Sequence, residues 1–315
     1  MQSFEDIKTI LVIGSGVMGP GIALSYARGG FDVRLTDISQ TALEDAKQTL
    51  DSQYDTLSET GETKASEKAL ILGRISYHSD IKDAVQGTQY IIEAISERKD
   101  AKKALYEHLD TFLPKQTIIA SNTSYLNIFE LMPQERQEYT VITHFFDPPH
   151  IMPLVEVVRG PKTREEVMAA AVYVNEKSGK IAPRMEKFAK GFFVNLAQKA
   201  LGEAASHLVN NGFCTPEQFD LAIKNSVYPR GVVLGVFQKA DFSGLNLSGD
   251  IIRENGDEDK NKILMEHYRN GEYGVRTGKG YFDYSGRDIG ELFKERDRRL
   301  IEVMRLAKKN TDDPL

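Results

Sequence analysis

Residues 9–30, TILVIGSGVMGPGIALSYARGG, constrain the fold more than any other stretch of the chain. They open with a short, branched, apolar run that reads as a strand buried on both faces. A G-x-G-x-x-G pattern follows at residues 14–19, and a helical stretch then runs to Gly29 and Gly30. A strand that turns so tightly into a helix is the start of a βαβ unit. The glycines give the reason. Gly14 allows the tight turn, Gly16 leaves the backbone open to close approach, and Gly19 lets helix and strand pack closely. The helix start offers free N–H groups to an anion. A purely structural glycine turn would look the same, so the pattern needs support from elsewhere in the chain.

Asp37 supplies that support. It ends a second strand candidate, DVRLTD, where a carboxylate can accept hydrogen bonds from a ribose and repel a 2′-phosphate. The expected ligand is therefore NAD rather than NADP, held by Gly14, Ser15, Gly16, Val17, Met18, Gly19 and Asp37. Taken alone, Asp37 also suits the turn before a helix. Further strand candidates are RISY, YIIEAI, TIIASN, TVITHFF and PLVEVV, with helices between several of them; Ser39 suits the N-cap of the first such helix. This alternation predicts an α/β chain: a doubly wound Rossmann domain over residues 1–187. After that the pattern becomes helical, with GFFVNLAQKALGEAASHLVNN, then TPEQFDLAIKN behind a Thr215 cap, and a terminal amphipathic run from 291 to 310. Residues 188–315 are expected to form an all-helical domain. The charge run RENGDEDKNK reads as a solvated loop.

Composition excludes other classes. A net charge of −6 disfavours nucleic acid and anionic membranes as partners. The one cysteine, Cys214, rules out a disulfide framework and fits a reducing compartment. The opening MQSFEDIKTI lacks the pattern of a signal sequence, and no run is long and apolar enough to span a bilayer, so the cytosol is the default location. No His, Asp and Glu grouping has zinc spacing, and no serine lies in a nucleophile elbow, so no metal is expected.

The remaining question is what chemistry accompanies the dinucleotide. Oxidising an alcohol needs a base for the hydroxyl proton, and imidazole suits that task. His144 ends TVITHFF, and strand carboxyl ends are where such folds hold ligands. Glu156 sits in the next apolar run, where a lone carboxylate costs several kcal/mol unless paired. The two read as a proton-transfer pair. The plainer alternative is a structural histidine and a glutamate on an exposed strand face. His150, between Pro149 and Ile151, reads as a loop residue.

Together the segments GSGVMGPG, EAISERKDAK, ASNTS, HFFDPPHIMPLVEVV, GFFVN, FQKADFSGL and GVRTGKGYFDY resemble the 3-hydroxyacyl-CoA dehydrogenase family over nearly the whole chain. The resemblance implies reversible, NAD-dependent oxidation of a (S)-3-hydroxyacyl thioester and a homodimer formed through the helical domain. It implies that His144 is the acid/base, Glu156 its orienting carboxylate, Ser124 a hydroxyl contacting substrate and nicotinamide, and Asn195 an amide positioning the substrate carbonyl. Glu97, Lys102 and Arg276 resemble further cofactor contacts, and Asp147 falls among them. Plainer roles stay open: Ser124 as a helix cap, Asn195 as a helix residue, Glu97 and Lys102 as a solvated helix start, Arg276 as a surface cation.

The chain also departs from the family pattern. Asp147 replaces a common asparagine, and an ionised aspartate only accepts hydrogen bonds. Leu196 replaces an arginine. The arm LDSQYDTLSETGETKASEKA is short and mostly acidic where CoA-binding members carry a longer, lysine-rich hairpin, and Lys64 and Lys68 are its nearest cations. These departures keep a second reading open, a dehydrogenase of a free 3-hydroxy acid such as L-carnitine, L-gulonate or 3-hydroxybutyrate. A third reading keeps the fold and the cofactor but no catalysis.

Overall fold

The structure, a computed structural model, describes residues 4–310. The first three residues of MQSFEDIKTI and the last five of the chain lie outside the described residues. Two compact units divide the chain, one running through Ala200 and one from Leu201 onward.

The first unit is built on one sheet. Its strands are β1 (Thr9–Ile13), β2 (Asp32–Thr36), β3 (Ile75–His78), β4 (Tyr90–Glu93), β5 (Ile118–Ser121), β6 (Thr140–Phe145), β7 (Val155–Arg159) and β8 (Arg184–Met185). They lie in the order β3-β2-β1-β4-β5-β6-β7-β8. β1 to β6 run parallel, β7 returns antiparallel to β6, and β8 runs parallel to β7. This is the expected doubly wound sheet with a return strand added at one side. Its helices are α1 (Gly19–Arg28), α2 (Gln40–Glu59), α3 (Lys68–Leu72), α4 (Ile81–Ala84), α5 (Lys99–Asp110) and α6 (Glu165–Lys177).

The continuous apolar run of β1 makes sense once both faces are covered. Ile10 and Val12 join one core layer with Ile22 and Leu24 of α1, Leu43 of α2 and Val167 of α6. Leu11 and Ile13 join the other, with Tyr106 and Leu109 of α5. Each such buried side chain contributes about 1.5–3 kcal/mol, so the strand cannot shift register without losing both layers. Ser39 caps α2 as expected, its hydroxyl accepting from the Ala42 N–H at 3.2 Å.

The first unit keeps residues 188–200, beyond the change of pattern placed at 187/188 in the sequence. Phe192 is buried in its second core layer, and the Phe193 and Val194 N–H groups donate to Glu156. Helix α7 (Val194–Asn210) starts there. The second unit carries α8 (Pro216–Lys224), α9 (Val227–Ser243), α10 (Leu245–Glu254), α11 (Lys262–Arg269) and α12 (Ile289–Asn310). Thr215 and Gln218 form a full reciprocal cap on α8. The charged stretch at 253–262 holds a short 3-10 turn, Glu258–Lys260, between α10 and α11. Phe242, Val275, Tyr284 and Leu292 form the small core of this unit. Buried Asp241, next to Phe242 in the chain, accepts from the Tyr281 and Phe282 N–H groups and the Tyr284 hydroxyl. Neither α7 nor α8 contains a buried residue, and Val232, Val236 and Phe237 of α9 are exposed. No helix among the described residues is long and apolar enough to cross a membrane.

Candidate active site

The sheet reverses its direction of growth at β1. β2 and β3 add on one side of it, β4 and the later strands on the other. A crevice therefore opens at the carboxyl ends of β1 and β4, the usual ligand position in such folds. Gly14 ends β1 with φ of 104°, and a Cβ on it would stand 2.7 Å from the Ala94 carbonyl oxygen. A Cβ on Gly19 would overlap the carbonyl oxygen of Gly14, so α1 can start this close to β1 only with glycine there. Hydrogen bonds from Gly14 N to Thr36 O and from Ala94 N to Ile13 O, both 2.8 Å, tie the strand ends together.

These constraints leave an open surface above the turn. Gly16 and Val17 are exposed. No side chain caps the start of α1 at Met18, so its first N–H groups stay available. The Ser15 hydroxyl is buried and has no hydrogen-bond partner among the described residues. Asp37 is fixed at the end of β2, Oδ2 accepting from Ser15 N at 2.8 Å and Oδ1 from Ser39 N at 3.0 Å. A carboxylate has lone pairs left for ribose hydroxyls. An uncapped helix start, an unpartnered hydroxyl and an anchored carboxylate suit a dinucleotide, and NAD fits them.

His144 and Glu156 lie twelve residues apart in sequence and directly opposite each other in the antiparallel β6–β7 ladder. That pairing puts Glu156 on a buried strand face rather than an exposed one. His144 Nδ1 lies 2.8 Å from Glu156 Oε2, and both side chains are buried. An ionised carboxylate only accepts, so the ring hydrogen sits on Nδ1 and Nε2 is left as the acceptor of the neutral ring. The Ser124 hydroxyl lies 3.1 Å from that nitrogen. Glu156 Oε1 accepts from Phe193 N and Val194 N, each at 2.8 Å. Three donors, two of them at a helix start, thus compensate a carboxylate that would otherwise be costly to bury. Phe192 adopts a positive φ of 51° to aim those N–H groups, a strain of about 1–3 kcal/mol. The rings of Phe146 and Phe192 flank the imidazole at 4.6 and 5.4 Å.

Ser124 stands on the irregular segment after β5. Asn122 Oδ1 accepts from Phe145 N at 2.7 Å and joins that segment to the end of β6. Glu97 Oε1 accepts from the Thr123 hydroxyl and from the N–H groups of Ser124, Tyr125 and Leu126. Asn195 Nδ2 reaches the Ser124 carbonyl oxygen at 3.4 Å. Lys102 is not a solvated residue at a helix start. It is buried, with its ammonium 2.6 Å from Glu93 Oε1 and 3.4 Å from Glu97 Oε2. The structure thus gathers His144, Glu156, Ser124, Asn195, Glu97 and Lys102. Asp147 is exposed and makes no hydrogen bond among the described residues. Arg276 belongs to the second unit, where its guanidinium stands 5.9 Å from the Phe293 ring centre. His150 is buried against α1, near Gly21, and burial lowers its pKa. No group of three metal-binding side chains gathers among the described residues.

Sequence reasoning missed Glu93, Thr123 and Phe192. Glu93 had a usable signal, since it ends the apolar run YIIE and is wholly buried. The cost argument that singled out Glu156 applies to it equally.

A doubly wound unit with this crevice, followed by a helical unit, defines the two-unit NAD-linked dehydrogenases. The chain belongs to the 3-hydroxyacyl-CoA dehydrogenase family: the NAD binding domain of that family matches residues 9–187 and its C-terminal domain residues 191–284. It is an NAD-dependent oxidoreductase of this family. The chain is 30% identical to the 5-formyl-3-hydroxy-2-methylpyridine 4-carboxylate 5-dehydrogenase of Mesorhizobium japonicum, over 95% of this chain and 98% of that protein. It is 33% identical to a probable 3-hydroxybutyryl-CoA dehydrogenase of Bacillus subtilis, over 89% and 98%. The crystal structure of a 3-hydroxyacyl-CoA dehydrogenase from Archaeoglobus fulgidus superposes with a TM-score of 0.79 at 25% identity, covering 95% of this chain and 98% of that one.

Proposed function

We propose that the protein oxidises a (S)-3-hydroxyacyl-CoA to the 3-ketoacyl-CoA, reversibly, with His144 as general acid/base. The observation that carries this reading is the buried His144–Glu156 pair with Nε2 turned toward Ser124. When bound, NAD supplies the nicotinamide that takes hydride from the carbon bearing the hydroxyl. Asp37 would accept from the adenosine ribose, and the 14–19 turn with the Ser15 hydroxyl would receive the pyrophosphate. His144 Nε2 takes the 3-hydroxyl proton. The Nδ1–H to Glu156 contact then becomes charge-assisted and stabilises the imidazolium. In the reverse direction His144 returns the proton. Ser124 and Asn195 orient the substrate, so that part of the rate comes from position rather than from proton transfer. The same reading makes the chain a cytosolic enzyme of fatty-acid β-oxidation. It also makes it a homodimer that covers the exposed apolar side chains of its helical unit; a sedimentation mass equal to one chain would count against the dimer.

A second substrate reading has its own observation. Lys64 pairs with Glu67 at 3.4 Å, and Lys68 bridges Asp51 and Asp55 at 2.7 Å each. The cations of the short arm are thus already neutralised, and a CoA phosphate would compete with carboxylates for them. One relative is named for a free pyridine carboxylate. This favours oxidation of a free 3-hydroxy acid. A panel of 3-hydroxyacyl-CoA esters and their matching free acids, read as NADH formation, separates the two. The CoA reading expects turnover on the esters with kcat/KM at least about 10⁴ M⁻¹s⁻¹. Turnover on the free acids with silent esters overturns it.

A further inference from the structure

We propose that Glu97 is a positioning residue for this reaction: its carboxylate gathers the 123–126 segment and so holds the Ser124 hydroxyl against His144 Nε2. The inference rests on the reading of His144 as the proton acceptor.

The argument begins with what Ser124 lacks. It belongs to no strand or helix, lying between β5 and the 3-10 turn Ile128–Glu130. Its hydroxyl is nonetheless set 3.1 Å from His144 Nε2. Something other than regular secondary structure must fix it. Glu97 Oε1 accepts from four successive residues, the Thr123 hydroxyl at 2.5 Å and the N–H groups of Ser124, Tyr125 and Leu126 at 2.9, 3.0 and 3.4 Å. The Thr123 hydroxyl also accepts from Leu126 N at 2.9 Å, closing the turn on itself. A single oxygen therefore defines the path of the segment that carries Ser124.

Glu97 is fixed from behind. Its other oxygen faces the Lys102 ammonium at 3.4 Å, and Lys102 is held by Glu93 at the end of β4. A chain of contacts thus runs from the sheet through Glu93, Lys102 and Glu97 to Ser124 and His144. Burial pushes the Glu97 carboxyl up, but the Thr123 hydroxyl, the Tyr125 N–H, the Lys102 ammonium and the Ser124 N–H outweigh it and hold the group below the usual carboxylate range. The clamp is therefore ionised at neutral pH, the form in which both oxygens accept. Oε1, which takes four donors, has little capacity left for a ligand; Oε2 faces Lys102 alone among the described residues.

The test uses Glu97→Ala, Glu97→Gln, Ser124→Ala and the Glu97→Ala/Ser124→Ala double variant of the full chain. NADH affinity, kcat, KM and the NMR signals of the His144 ring nitrogens are read. Loss of the clamp is expected to lower kcat about 10²-fold, the scale set by a misplacement of about 1 Å. Glutamine, which keeps an acceptor oxygen, is expected to recover about tenfold of that. The double variant should be no slower than Ser124→Ala alone, because the two residues act through one contact. The Nε2 signal should move in Glu97→Ala and in Ser124→Ala alike. Weaker NADH binding with kcat intact at saturating cofactor overturns the proposal in favour of a cofactor contact. An unmoved Nε2 signal, or fully additive losses in the double variant, overturns it as well. Should Glu97→Ala fail to fold, Glu97→Gln alone carries the test: an Nε2 signal unchanged from wild type is then the overturning result. The NMR and NADH measurements need no substrate. If every substrate fails while Nε2 responds as expected, the proposed function falls and the positioning stands.

Discussion

Among the described residues, Glu93 and Glu156 are the two carboxylates that the sheet buries completely, and both stand toward the end at which its parallel strands finish. Glu93 ends β4 and accepts from Ile95 N, Lys102 Nζ, the Tyr106 hydroxyl and the Ser121 hydroxyl, all within 2.6–2.8 Å. Glu156 sits near the start of β7 and accepts from His144 and two backbone N–H groups, all at 2.8 Å. The burial and the saturation with donors are alike. The partners differ. Among those around Glu93, burial and then the Glu93 charge itself push the Tyr106 phenol well above its ordinary value. The partner of Glu156 is an imidazole whose second nitrogen meets the Ser124 hydroxyl. The same device is an anchor at one point and, under the proposed function, support for proton transfer at the other. What separates them is the far side of the partner: His144 presents Nε2 to the Ser124 hydroxyl at 3.1 Å.

The strongest way to break this comparison is to remove each carboxylate charge and measure turnover. His144→Gln sets the floor, with kcat lowered about 10⁴-fold and NADH binding retained. Glu156→Gln should fall about 10³-fold, because the amide neither fixes the same tautomer nor stabilises the imidazolium as well. Glu93→Gln should stay within about tenfold of wild type per folded molecule, since its partners touch no reacting atom. Similar kcat losses for the two glutamates would erase the distinction.

Stability should rank the pair differently. Glu93→Gln removes the charge 2.6 Å from the buried Lys102 ammonium and leaves it only the Glu97 carboxylate as counter-charge, at 3.4 Å, and breaking such a buried pair costs about 3–5 kcal/mol. Adding Lys102→Met removes the stranded charge and should recover most of that loss, although it also removes a support of Glu97. Denaturant unfolding with NADH absent is the measurement. A loss below about 1 kcal/mol in the single variant would mean that Glu93 is no anchor.

The two ends of the crevice were unequally legible in the sequence. The β1–α1 side is built by backbone, and glycines that only one backbone path explains announce themselves by spacing: Gly14 and Gly19 are read from six residues. Asp37 follows from its position at a strand end. The β6–β7 side depends on a cross-strand register. His144 and Glu156 were visible as a candidate pair, but sequence cannot say that the strand after the proline-rich turn returns antiparallel and sets them opposite. The Ser124 clamp was less legible still, because Glu97 and Ser124 are far apart in sequence and meet only when β4 and β5 lie side by side. The burial of Lys102 was hard to read for a related reason: it depends on Glu93, whose signal was present but was not followed.

The smallest effect tests whether the two carboxylates are independent. The Ser121 hydroxyl donates to Glu93 Oε2 at 2.7 Å and accepts from Thr123 N at 3.2 Å, so it joins the anchor to the segment that carries Ser124. Ser121→Ala removes one of four donors to a buried charge and leaves the Thr123 N–H without that acceptor. About 1.5–3 kcal/mol of stability should go with it, the range for a hydrogen bond to a charged group. Turnover should change less than about threefold, because Glu97 still holds Thr123 and Ser124. A tenfold fall in kcat with stability intact would contradict this. The anchor would then reach the chemistry through Ser121 as well as through Lys102 and Glu97.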